Sequence, residues 1–298
     1  MTKTAPLLLL LSSLLGTTLS AQSPRATAGW MYHGDDCGAP CLAQNDNRGA
    51  GRTGTLPNEY AFGAKFTQAQ TIVAFQLYTT TNTLPTASLT GNLFRESTAT
   101  PGQPDVNPVA SGTLTAIKQL DFYTVFLNAP VQVAANETIW IGQSESTNIL
   151  ASGLTSGATP PVKSFYRRTG VLWTASTSVA YPAWRILCST DVACSSPNPP
   201  KLGTTTSLDL QGAPPSAPSV LFLGATNPGL ALGFCTKLLS SGELALSATT
   251  SATGTASMPL AIPSSASLDG ALVWCQWWAI GAGPSLIGTH GAQATLGN

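Results

Sequence analysis

The stretch "ALVWCQWWAIGAG", residues 271–283, sets three tryptophans and a cysteine within the five positions 274–278. At the two-residue period of a strand, Val273, Cys275, Trp277 and Ala279 share one face. Leu272, Trp274, Gln276, Trp278 and Ile280 share the other. Pairing Cys275 with Cys235 on a neighbouring strand would turn the first face inward and bury Trp277 beside the sulfur. Trp274 and Trp278 then point outward, about 13 Å apart at ~3.3 Å per residue, with Gln276 between them. Such a face either stacks on the rings of an extended glycan or is covered by protein. Alternation alone does not choose between the two.

Around this strand the chain repeats the same grammar. Short runs rich in β-branched and aromatic residues follow one another at 204–210, 219–225, 233–239, 244–250, 255–262 and 292–296. Turn clusters such as "GAPPSAP", "NPG", "SSG" and "LDG" separate them. Upstream lie "TIVAFQLYTT" (71–80) and runs at 87–97, 108–117, 121–127 and 137–145, with "AWRILC" closing the series. In the first of these, Val73, Phe75 and Leu77 make the better core face, against Ile72, Ala74, Gln76 and Tyr78. "KSFYRRTGVLWTAS" (163–176) reads as a hairpin with Gly170 in its turn. No long amphipathic helix interrupts them. The expectation is an all-β protein of two β-sandwich domains, jelly-roll-like at 22–194 and smaller and immunoglobulin-like at 201–298. The proline-rich stretch 195–200 is expected to be a stiff linker.

Residues 1–21 combine Lys3, an apolar centre (Leu7–Leu11, Leu14–Leu15) and a small-residue end, the pattern of an export signal. The apolar centre falls short of the ~20 residues that span a bilayer, and no membrane span is expected after signal removal. A secreted or cell-surface protein is therefore expected. In that compartment six cysteines favour disulfides, and spacing suggests Cys37–Cys41, Cys188–Cys194 and Cys235–Cys275. The chain-entropy account gives ~4 kcal/mol for the last and ~2 kcal/mol for each short one.

Charged residues make up 9% of the chain and the formal net charge is zero, which leaves no electrostatic footprint for nucleic acid. Low charge combined with 43% hydrophobic residues argues for a packed fold rather than disorder.

Chemistry is sparse. "WMYHGDDCGAPCLAQNDNRGAG" (30–51) holds His33, Asp35, Asp36, Cys37 and Cys41. Oxidised cysteines there remove two zinc ligands. Asn45, Asp46 and Asn47 offer oxygen to a structural calcium but lack the spacing and closing glutamate of an EF-hand; otherwise no cofactor is expected. There is no G-x-S-x-G, and His33 and His290 are the two histidines available as a general base. His290 reads as a surface turn residue. A Ser–His–Asp arrangement with Asp269 has nothing in its favour. "NET" (136–138) matches a glycosylation acceptor. Trp140 and Trp184 read as core, and Tyr166, Arg168 and Trp173 on the hairpin read as rings beside fork-shaped donors.

The residues "LDLQGAPPSAPSVLFLGATNPGLALGFC" (208–235), "ASMPLAIP" (256–263), "WCQWWAI" (274–280) and "ATLGN" (294–298) resemble a C-terminal β-domain of uncharacterised exported proteins of environmental bacteria. "LFRESTATPGQPDVNPVASGTL" and "VQVAANETIWIG" resemble jelly-roll modules of the carbohydrate-binding or surface-display kind. Neither resemblance implies a reaction. The leading expectation is a secreted non-catalytic protein binding an extracellular glycan or surface protein through Trp274, Gln276, Trp278, Tyr166, Arg168 and Trp173. One alternative is a structural or assembly component of the cell surface. Another is a hydrolase using His33 with Asp35 or Asp36.

Overall fold

The computed structural model describes residues 26–33, 42–44, 59–79, 88–115, 121–145, 164–167, 172–175, 184–232, 237–281 and 286–298. Within them the chain is nearly all strand; one short 3-10 turn (Ala266–Leu268) is the exception, and there is no α-helix. The chain divides into two compact units, Ala39–Ser189 and Met1–Gly38 together with Thr190–Asn298.

Strand β1 (Gly29–His33) belongs to the second of these. The unit Ala39–Ser189 carries β2 (Leu42–Gln44), β3 (Glu59–Lys65), β4 (Gln70–Thr79), β5 (Ser88–Arg95), β6 (Ala110–Thr115), β7 (Asp121–Val133), β8 (Thr138–Glu145), β9 (Ser164–Arg167), β10 (Thr174–Ala175) and β11 (Trp184–Cys188). One sheet runs β7-β4-β11-β2 and the other β10-β9-β3-β8-β5-β6. They face each other where the Phe75 ring lies on Gly91, so closely that a methyl group at 91 would overlap it. Leu93, Ile139 and Ile141 from one sheet and Leu77, Val125, Trp184 and Ile186 from the other fill the same core. Trp140 and Trp184 are buried, as their strand positions suggest. The two arms of the expected hairpin pair antiparallel, with Tyr166 opposite Thr174 and Phe165 opposite Ala175; its turn at Gly170 lies outside the described residues.

Strand β4 corrects the one-sided reading of its sequence. Phe75 and Leu77 are buried, but so are Ile72, Ala74 and Gln76. A register shift between Ile72 and Ala74 kinks the pairing with β7. Gln76 remains inside because its Nε2 donates to Thr124 Oγ1 at 2.9 Å.

The other unit adds β12 (Ala193–Ser195), β13 (Thr205–Gln211), β14 (Pro218–Gly224), β15 (Leu230–Ala231), β16 (Lys237–Leu238), β17 (Leu244–Thr249), β18 (Ala256–Ala261), β19 (Leu272–Ile280), β20 (Leu286–Gly288) and β21 (Gly291–Thr295). Its larger sheet runs β17-β14-β19-β21-β1, with β20 also on β19. A three-stranded sheet runs β12-β13-β18, and β15 pairs with β16.

Residues 29–33 were expected at the head of the first domain. Instead β1 pairs along its whole length with β21, from Gly29 opposite Thr295 to His33 opposite Gly291. The proline-rich stretch 195–200, expected as a linker, is stitched to this same unit. Ser196 N–H donates to Tyr32 Oη, and the Asn198 carbonyl accepts from Trp30 Nε1 and Thr206 Oγ1, at 2.8–2.9 Å. These bonds hold the segment to its own unit. Leu268, Ala294 and Leu296, with Trp30, Leu202, Ile262 and Val273 against them, close the core at this end.

Two of the spaced cysteine pairings do not form. Cys194 and Cys275 stand as buried thiols, so neither Cys188–Cys194 nor Cys235–Cys275 exists. Cys188 is disulfide-bonded, to a partner other than these two. Chain spacing misled because partners are set by strand register: Cys275 sits opposite Leu223 and Ala292, and Cys194 opposite Leu210. Burial pushes the Cys275 thiol well above its ordinary range. Cys37, Cys41 and Cys235 lie outside the described residues.

Candidate functional site

β19 is hemmed in on both sides. β14 runs along one edge. The other edge is shared: β21 pairs with Leu272–Cys275 and β20 with Trp278–Ile280. Between β20 and β21 the chain breaks step at Thr289, whose N–H donates to the Trp277 carbonyl while its hydroxyl oxygen accepts the Trp277 N–H. Both faces are covered as well. Cys275 and Trp277 are buried on the side expected inward; Gln276 and Trp278 are buried on the side expected outward, with Trp278 2% exposed. Trp274 is half-buried.

Gln276 shows how the second face is closed. Its Oε1 accepts the Leu239 N–H at 2.9 Å, and its Nε2 donates to the carbonyls of Lys237 and Thr289 at 2.9 and 2.8 Å. The segment Lys237–Ser240 therefore lies over this face, and Ser240 Oγ donates to the Trp274 carbonyl. An amide with one acceptor and two donors so engaged has little left to offer a sugar. Trp274, Gln276 and Trp278 do not form an open stacking surface.

The hairpin residues separate too. Trp173 is buried in a cluster with Ala61, Phe94 and Trp140. Its ring meets Phe94 edge-on at 5.4 Å, and its Nε1 donates to the Asp105 carbonyl at 2.9 Å. Tyr166 is paired through its backbone, and Arg168 lies outside the described residues.

The cluster around Trp173 lies on one face of the six-stranded sheet, and the register extends it into a polar row. Ala61, Gly142 and Asn92 stand side by side, as do Gly63, Trp140 and Phe94. Two residues along β3, Glu59 shares this face, and its Oε1 accepts a hydrogen bond from Asn92 Nδ2. Both side chains are buried. Further out, the hydroxyls of Thr90 and Thr113 lie 3.4 Å apart, with Ser111 opposite Asn92. Thr113 is exposed, and Thr90 and Ser111 are half-buried. Nothing in the local sequence marks Glu59 and Asn92, because their partnership joins β3 and β5 across the intervening β8.

His290 is not a surface residue: it is fully buried. Its Nε2 lies 2.8 Å from the Cys194 carbonyl, which can only accept, so Nε2 carries the proton. Its ring meets Tyr32 edge-on at 5.6 Å. Burial raises the Tyr32 hydroxyl well above its ordinary range, with Cys194 nearby adding to the shift. The Asp269 carboxylate accepts the Ala26 N–H instead of turning to the imidazole. His33 is paired through its backbone, while Asp35, Asp36, Asn45, Asp46 and Asn47 lie outside the described residues. Among the described residues no group of three His, Cys, Asp or Glu side chains could hold a metal ion. No described helix is long and apolar enough to cross a membrane.

No family model matches this chain, and no curated protein matches it. The resemblances noted above therefore stand on their residues alone.

Proposed function

We propose that this chain is an exported, non-catalytic protein serving as a structural or assembly component of a bacterial cell surface. In this reading residues 1–21 direct export. The sheets pack as a jelly-roll-like sandwich and a smaller immunoglobulin-like one. The carrying observation is the inward commitment of Gln276 and Trp278. Tryptophans that would have marked a ligand platform serve instead to fix the chain's own strands, as a building element requires. Cross-linking on intact producing cells, followed by mass mapping, should recover the chain in surface complexes. Recovery solely as an uncomplexed chain in the medium would overturn the reading.

A second reading, recognition of a glycan, is favoured by one observation. Thr113, Thr90 and Ser111 open onto the surface above the Glu59–Asn92 pair, a neutral hydroxyl row suited to sugar hydroxyls. A glycan array probed with the unaltered chain and Thr113→Ala tests it. Binding weakened by the substitution supports it, and null binding by both removes it.

A further inference from the structure

Strand β17 ends the larger sheet of its unit: among the described residues it pairs with β14 alone. None of its six residues is buried; Ala245, Ser247 and Thr249 are exposed, and Leu244, Leu246 and Ala248 half-buried. The register settles which backbone groups face away from β14. Thr250 N–H donates to the Ala217 carbonyl, and Ala217 stands opposite Thr250 when the pairing Pro218–Thr249 is continued by one residue. Hydrogen-bonded pairs then recur every second residue, at Ser219–Ala248, Leu221–Leu246 and Leu223–Leu244. The N–H and C=O groups of Ala245, Ser247 and Thr249 point out from the open edge.

Such an edge is a template for another strand, and soluble proteins ordinarily blunt it with charge, proline or a bulge. β17 has none of these. Its pairing with β14 shows no register shift, and no charged residue occurs from Leu244 to Leu268. By contrast, the end strand β18 carries Pro259 in its middle.

We propose that β17 pairs antiparallel with β17 of a second copy about a two-fold axis at Ser247. In that register Ser247 meets Ser247 of the second copy, and Ala245 meets Thr249 of the second copy. All three outward-facing residues exchange both backbone hydrogen bonds. The arrangement is self-complementary, as an isologous interface requires. The side chains brought together on the exposed face are small and uncharged. On the half-buried face Leu246 lies beside Ala248 of the second copy, so no like charges oppose each other. This inference rests on the assembly reading and names its contact.

The test is sedimentation velocity of the mature chain over a concentration series, with hydrogen exchange at each end. The expected result is a concentration-dependent dimer, with the amides of Ala245, Ser247 and Thr249 exchanging at least roughly tenfold more slowly in it. Ser247→Pro removes an outward N–H and no internal bond, and Ser247→Lys places a charge on the edge. Whichever variant keeps the unaltered melting profile should remain monomeric where the unaltered chain dimerises. A dimer that persists in both overturns the edge contact and leaves the assembly reading standing. A chain monomeric at every concentration overturns the inference, and the assembly reading then falls only if cross-linking on cells also finds no partner.

Discussion

Replacing Gln276 with leucine separates a structural role for this face from a binding role. The substitution nearly conserves volume but deletes three hydrogen bonds: two buried ones, to Leu239 N–H and the Thr289 carbonyl, and a part-buried one to the Lys237 carbonyl. At about 0.5–1.5 kcal/mol net for each, the loss is roughly 2–4 kcal/mol, because the Leu239 N–H is left without its acceptor. A change of this size lowers the melting temperature of a domain of this scale by about 10 °C. Urea unfolding followed by tryptophan emission reads it directly, since Trp277 and Trp278 adjoin the site in sequence. Gln276→Glu adds a pH signature. It keeps the acceptor for Leu239 but sets a carboxyl group against two carbonyl oxygens, so its pKa in the folded state rises above the unfolded value. Its contribution to stability is then fully present below the unfolded carboxyl pKa, about 4.3, and is lost as pH rises through the folded value. A Gln276→Leu chain within about 0.5 kcal/mol of the unaltered protein, a shift ordinary at surface positions, would refute the buried network.

Other perturbations probe other parts. Trp278→Ala should destabilise by about 3–5 kcal/mol in the same urea assay; an unchanged midpoint would mean the ring is not core. Gly112→Ala should cost about 1–3 kcal/mol or more, because the added methyl would overlap the Phe126 carbonyl oxygen, and thermal melting checks it. Alkylation of the denatured, unreduced chain with mass mapping should label Cys194 and Cys275, and native labelling of Cys275 should be slow because burial disfavours its thiolate. His290→Ala should cost about 1–3 kcal/mol by leaving the Cys194 carbonyl without its donor; a stability equal to the unaltered chain would contradict that bond.

The wrong expectations share a physical origin. Alternation identifies a core face only when the other face meets water, and along residues 74–77 of β4 and 275–279 of β19 both faces are buried. Gln76 and Gln276 therefore looked like solvent markers, whereas each is a buried amide whose partner lies far along the chain. His290 misled similarly, since its flanking glycines suggested an open turn where the chain passes beneath Cys194. The cysteine pairs followed chain spacing, while sulfur contacts follow strand register. Trp173 was placed on the right hairpin, but its contacts with Phe94 and Asp105 depend on strands and loops from elsewhere in the unit.

The residue pattern by itself determined that this is a strand-built chain, where most of its strands run and that Trp140 and Trp184 are core. Those properties follow from local stereochemistry and burial preference, which neighbouring residues set together. Tertiary structure alone decided that β1 closes against β21, that residues 195–200 are bound in place, and that the tryptophan face of β19 is covered. Each depends on hydrogen-bond partners tens to hundreds of residues apart, and local sequence carries no record of which distant group arrives to satisfy a donor.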